Sequence, residues 1–122
     1  MNKKVCFKYR GKKMCVNAFV CDSVWKKFLG LMFCRREKAF AQVFEFSKPT
    51  RVRIHSFFVF LDFIAIWINP NGKIVDLKVV KSWKFFVSSK KPFNKLIEIP
   101  INSRYFQITK SLVGKNRLSR RS

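Results

Sequence analysis

Carboxylates are the scarcest charged groups in this chain of 122 residues: six Asp and Glu stand against 27 Lys and Arg, a formal charge of +21. Asp22, Glu37, Glu45, Asp62, Asp76 and Glu98 contain no pair whose spacing argues for a general acid and a general base in one site. Surrounded by so many cations, most of them are expected to act as ion-pair or capping partners. Histidine occurs once, at His55, and a lone imidazole without a Ser or Cys nearby in sequence is no catalytic constellation, although the fold could still bring Cys34 close. No GxSxG elbow is present, and the glycines at 11, 30, 72 and 114 are too scattered to cradle a phosphate. Cys6, Cys15, Cys21 and Cys34 include no CxxC pair, which argues against a zinc knuckle; no metal and no cofactor is expected. Buried free thiols are the default for them, with a cross-strand disulfide, Cys6 to Cys15 or Cys6 to Cys21, as the alternative open to a hyperthermophile protein. Long apolar runs are missing too. The longest, Ile54 to Ile68, contains Asp62 and falls short of the roughly 20 residues a spanning helix needs. The N-terminal "MNKKVCFKYRGKK" alternates charged and apolar residues instead of forming a signal-peptide core, so a soluble, cytoplasmic protein is expected.

What is present is apolar and aromatic content, 48% and 16%, too high for a disordered basic tail. One folded domain over residues 1–114 with a basic tail over 115–122 is the expected organisation. Period-2 alternation dominates, which predicts strands. Val5, Phe7 and Tyr9 share one face and Cys6, Lys8 and Arg10 the other. "RGKK" supplies a turn, and Met14, Val16, Ala18 and Val20 alternate again, giving a hairpin with one wet, basic face. "DSVWKKFLGLMF" changes period and predicts a short helix capped by Asp22 or Ser23. "QVFEF", "RVRIHSFFVF", "FIAIWI", "KIVDLKVV" and "KLIEIPI" read as further strands, with "NPNG" at 69–72 as a turn. In "KIVDLKVV", Val75, Leu77 and Val79 are expected inside, and Asp76 and Lys78 outside. "NSRYFQITKS" predicts a helical turn capped by Asn102 or Ser103, then a short strand at Leu112 and Val113. The sum is a mainly β, single-domain β-sandwich or partly closed barrel with one or two short helices. Its core is expected to include Phe58, Phe60, Ile66, Ile68, Val75, Leu77, Ile97 and Ile99.

The order of "GLMF" (30–33), "VFEF" (43–46), "IHSFFVF" (54–60), "INPNGKIVD" (68–76), "KSWKFF" (81–86) and "KLIEIP" (95–100) resembles the DUF192 family, in particular an archaeal-looking branch, over roughly residues 14–113. The resemblance implies a compact β-sandwich with a short helix before the GLM turn, and no agreed activity. This chain departs from the family pattern at Ile64, where members carry an Asp, with Asp62 two residues earlier; a pocket built on that Asp and the histidine would be altered here. The family's closing Gly-Asp turn is also absent, with Lys110 and Ser111 in its place.

Basic residues interleaved with aromatics carry the strongest functional signal, because Lys and Arg neutralise phosphates while exposed rings stack on unpaired bases. The candidate RNA contacts are Lys3, Lys4, Lys8, Arg10, Lys12 and Lys13; Arg51 and Arg53; Lys81, Trp83, Lys84, Phe86, Lys90 and Lys91; and Lys115, Arg117, Arg120 and Arg121 in the tail. Tyr9, Phe85 and Phe93 also lie among these cations. The expected function is a non-enzymatic RNA-binding protein associated with the ribosome, its partners being ribosomal RNA and neighbouring ribosomal proteins. The rival is a small-ligand module or uncharacterised enzyme with a pocket near Gly30 to Phe33 and His55, lined by Met32 and His55; attachment to anionic lipid through the same basic face is a weaker third.

Overall fold

In a computed structural model the described residues are 2–21, 40–51, 61–81 and 87–114. They form β1 (Asn2–Tyr9), β2 (Lys12–Cys21), β3 (Gln42–Thr50), β4 (Phe63–Ile68), β5 (Ile74–Val80) and β6 (Phe93–Pro100), then a 3-10 turn (Ser103–Tyr105) and one helix, α1 (Phe106–Val113). The strands make one mostly antiparallel sheet in the order β1-β2-β3-β6-β4-β5, curled into a half-barrel. Of the two expected forms, this is the partly closed barrel. Its one parallel junction joins β2 to β3.

Alternation decides which side chains enter the curl. Val5, Phe7, Val16, Ala18, Val43, Ile64, Ile66, Ile97 and Ile99 form the inner core, against which residues of both sheet edges, Tyr9 and Leu77 among them, are packed. Tyr105, Ile108 and Leu112 of the C-terminal turn and helix close this face. The Ala41 N–H donates to the Tyr105 hydroxyl at 2.7 Å, which fixes the turn to the start of β3. Asn102 caps the turn, as its sequence position predicts, by accepting from the Tyr105 N–H. Leu112 and Val113, expected in a strand, are the last turn of α1 instead, because continuing the helix seats Leu112 in the inner core.

The outer face is divided. Over β3, β6, β4 and β5 it is a second core of Phe44, Phe63, Ala65, Trp67, Phe93 and Leu96. Over the β1–β2 hairpin it is wet: Lys4, Cys6, Lys8, Lys13 and Asn17 are exposed. The predicted core residues Ile66, Ile68, Ile97 and Ile99 are buried; Val75 and Leu77 are half-buried, and Phe58 and Phe60 lie outside the described residues, as does the predicted 22–30 helix. Val75 does not share a face with Leu77 and Val79. A register shift pairs Trp67 with Asp76 and Ile68 with Ile74, so Val75 is the extra residue of a bulge and packs with the outer cluster. Asp76 and Lys78 are not fully outside either, since residues 88–90 fold over them: the Lys78 ammonium donates to the Ser88 carbonyl at 2.6 Å and the Lys90 N–H to Asp76 at 3.0 Å.

Cys6 and Cys15 stand directly opposite in the β1–β2 register and form a disulfide, so for this pair the free-thiol default is replaced by the cross-strand alternative. The turn between the strands is Arg10-Gly11, both with positive φ (51° and 79°), as a two-residue turn matching the twist of a hairpin requires. Replacing both cysteines by Ser is expected to lower stability by about 2 to 3 kcal/mol, the entropy that a short closed loop removes from the unfolded chain. Denaturant unfolding of the oxidised parent, the reduced parent and the double variant checks this: reduced parent and variant should coincide.

Candidate nucleic-acid interface

The site begins with how the carboxylates are used. Glu45 takes Lys3 at 2.8 Å and Lys95 at 3.8 Å, and the Lys3 hydrogen bond holds its carboxyl below the ordinary value despite some burial. Asp62 takes Lys81 at 3.4 Å. Asp76 takes Lys78 at 3.8 Å together with the backbone N–H groups of Leu77 and Lys90. Glu98 lies opposite Gln42 of β3 and Ala65 of the fully buried β4, and desolvation pushes its carboxyl up to about 8, which favours the neutral form at neutral pH. Apart from Glu45 on Lys3, no carboxylate among the described residues is paired with a hairpin cation.

Lys4, Lys8, Arg10, Lys12 and Lys13 are all exposed and unpaired with any described acid. The register places Lys8 directly opposite Lys13, a like-charge cross-strand pair that disfavours the hairpin until an anion bridges it. Further along the same face, the Cys6–Cys15 disulfide holds the strands together against that repulsion. Arg10 lies 5.2 Å over the half-buried Tyr9 ring, which occupies one face of the ring with a cation.

The other predicted contacts divide. Lys3 and Lys81 are exposed but held by Glu45 and Asp62. The Arg51 guanidinium donates to the Lys90 carbonyl at 3.1 Å, bringing Arg51, Lys90 and Lys91 into a second, smaller basic cluster. Phe93, which lies among cations in the sequence, is fully buried beside Trp67 and Phe46 and is a core residue. Arg53, Trp83, Lys84, Phe85, Phe86, Lys115, Arg117, Arg120 and Arg121, and the pocket pair Met32 and His55, lie outside the described residues. At the family's Asp position, Ile64 is inner core. Lys110 and Ser111, in the place of the family's closing turn, are exposed on α1.

Two groups escape sequence reasoning. Phe40 is exposed with Arg104 stacked 4.1 Å over its ring, an aromatic and cation pair 64 residues apart that only the fold assembles. Glu98 departs from the expectation that the acids are ion-paired; the signal for this is its position inside "KLIEIPI", a nearly continuous apolar run of the kind that marks a strand buried on both faces.

Glu98 makes stability depend on pH. Its folded value lies above the ordinary 4.5, so the favourable contribution of the neutral carboxyl is complete below about pH 4.5 and is lost as pH rises through about 8. Glu98→Gln should match the parent near pH 4 and exceed it by a few kcal/mol at pH 9, since every tenfold change in proton affinity on folding is worth about 1.4 kcal/mol. Urea unfolding across that range checks this, and equal parent and variant stabilities at pH 9 would contradict it.

No protein-family profile matches the chain. Individual relatives do. A UPF0127 protein of Pyrococcus furiosus is 33% identical over 93 residues, covering 75% of this chain and 78% of that one. A UPF0127 protein of Thermococcus kodakarensis is 32% identical over 94 residues, and one of Thermococcus sibiricus 31% over 96; the matches span 59% and 61% of those proteins. Among solved structures, a Sinorhizobium meliloti 1021 protein named as a candidate transcription regulator superposes with a TM-score of 0.71 at 16% identity, covering 88% of this chain and 85% of its own. A protein of unknown function from Novosphingobium aromaticivorans DSM 12444 gives 0.72 at 11% identity, covering 88% and 79%. At such identities these structures share the fold alone, whereas the archaeal matches extend over most of the sequence: the chain belongs to the UPF0127 family.

Proposed function

We propose that this chain is a non-enzymatic, cytoplasmic RNA-binding protein of DUF192 type, in its archaeal branch, that takes the phosphate backbone on the β1–β2 hairpin, with ribosomal RNA and neighbouring ribosomal proteins as its partners. The observation that carries this reading is the segregation of charge: the described acids are spent on Lys3, Lys78, Lys81 and Lys95 or neutralised by burial, while Lys4, Lys8, Arg10, Lys12 and Lys13 share one hairpin with none. A disulfide-stapled hairpin presents these cations on a fixed platform, which lowers the ordering cost of binding. A polyanion lying across Lys8 and Lys13 relieves their repulsion, so binding and hairpin stability are coupled. Arg51, Lys90 and Lys91 supply a second point of backbone contact.

The rival reading, a small-ligand module or enzyme with a pocket near Gly30 to Phe33 and His55, falls on residues outside the described ones. It is favoured over RNA binding if His55→Gln abolishes a turnover or a metabolite complex while RNA affinity is negligible.

Charge binding has a quantitative signature. Each phosphate neutralised on a single strand contributes about 0.7 to the slope of log affinity against log salt. Replacing Lys4, Lys8, Lys12 and Lys13 together with Gln is expected to flatten the slope for single-stranded RNA by roughly 2 to 3 and to weaken binding for all sequences alike. The variant should be no less stable than the parent, since the Lys8 and Lys13 repulsion is gone. Fluorescence anisotropy over a salt series measures the slope; an unchanged slope at unchanged affinity contradicts the hairpin as the interface.

A further inference from the structure

The curl of the sheet leaves a slot between its two edges. It has a volume of about 760 Å³ and is walled on one side by the end of β1 and its turn and on the other by the Asn69–Lys73 turn that leads into β5. Lys8, Arg10, Lys13 and Lys73 line it, and no acid does. Phe7 and Tyr9 add apolar wall. The backbone N–H groups of the second turn are not available to a ligand: those of Asn71 and Lys73 donate to the Asn69 side chain at 3.0 Å each, and that of Gly72 to the Asn69 carbonyl at 2.9 Å. The charged donors that line the slot are therefore its side-chain cations, and the second turn offers no backbone cradle.

We infer that the slot between β1 and the β4–β5 turn is a site for the terminal phosphate of a nucleotide, either free or at the end of an RNA strand. Charge density selects this group. A backbone phosphodiester or a carboxylate carries one negative charge, whereas a terminal phosphate carries about 1.5 to 2 and a di- or triphosphate more, which matches converging Lys and Arg donors better. The volume agrees, since small-ligand sites commonly occupy about 300 to 1,000 Å³. The slot also explains why Lys8 and Lys13 are tolerated opposite each other, because a dianion between them and Lys73 satisfies a cluster that is self-repelling when empty. The RNA-end form rests on the RNA-binding reading above; the free-nucleotide form does not.

The experiment compares parent, Lys73→Glu and Lys48→Glu, the last a control with the same charge change at an exposed position outside the slot lining. Lys73 is exposed and belongs to no core cluster, so its replacement leaves the fold intact. Titrants are ATP, AMP, and one single-stranded RNA oligomer with either a 5′-triphosphate or a 5′-hydroxyl. The expected result is that ATP binds more tightly than AMP and that the triphosphate oligomer binds about tenfold or more above its hydroxyl twin. Lys73→Glu abolishes both preferences and Lys48→Glu leaves them. If the two oligomers bind alike and ATP neither binds nor competes, the slot is not a phosphate site, and the hairpin reading stands apart from it. If ATP binds with sensitivity to Lys73→Glu but neither oligomer binds, the slot stands and the RNA reading falls. Preferences that survive Lys73→Glu overturn the inference.

Discussion

Among the described residues the β1–β2 hairpin is joined to the rest of the sheet by three parallel register pairs, Phe19 with Gln42, Val20 with Val43 and Cys21 with Phe44, and the placement of its cations depends on that attachment. The hairpin has one apolar face to bury. Val5, Phe7, Val16 and Ala18 supply it by entering the inner core beside Ile64, Ile66 and Ile97. Its other face carries like charges in register, and an isolated two-stranded hairpin is marginal in water even without them. The disulfide and the shared core offset this, and the sheet's curl then carries β1 round towards β5, creating the slot.

The scarcity of acids has a second consequence. With so few carboxylates, each placement matters: Glu45 joins β1 to β3 and β6, Asp62 and Asp76 fasten the segments that border β4 and β5, and Glu98 is withdrawn from the electrostatic balance by burial. The exposed pair of Glu45 with Lys3 contributes little stability by itself, roughly 0 to 1 kcal/mol. The larger effect of these placements is on where positive charge remains unopposed. Among the described residues the largest group of cations without an acid partner is on the hairpin, with a smaller cluster at Arg51, Lys90 and Lys91 and further single cations at Lys48, Lys73, Arg104 and Lys110.

Much of this is legible in the sequence, for physical reasons that can be named residue by residue. The hairpin, its wet face and the "NPNG" turn follow from alternation and glycine placement, and the Asn102 cap from the preference of short polar side chains for helix starts. The bulge at Val75 is not legible, because one inserted residue leaves the local alternation intact while exchanging faces. Leu112 and Val113 read as strand because they are apolar and one is β-branched; packing against the inner core overrides that preference. Cys6 has two possible partners in sequence, Cys15 and Cys21, and register chooses between them. Glu98 reads as one more acid among cations, and the signal against that is its place in the nearly continuous apolar run of β6. The pairing of Lys3 with Glu45 and of Arg104 with Phe40 joins segments distant in sequence, and only the topology brings them together.

In the proposed interface RNA occupies Lys4, Lys8, Lys12 and Lys13, which have no acid partner because the described acids are engaged elsewhere. Amine-reactive labelling at low salt, with and without saturating single-stranded RNA and read lysine by lysine by mass spectrometry, tests it directly. The account predicts that Lys4, Lys8, Lys12 and Lys13 label readily in the free protein and become protected by RNA, while Lys3, Lys78 and Lys95 change little. Hairpin lysines that label equally with and without RNA would contradict it.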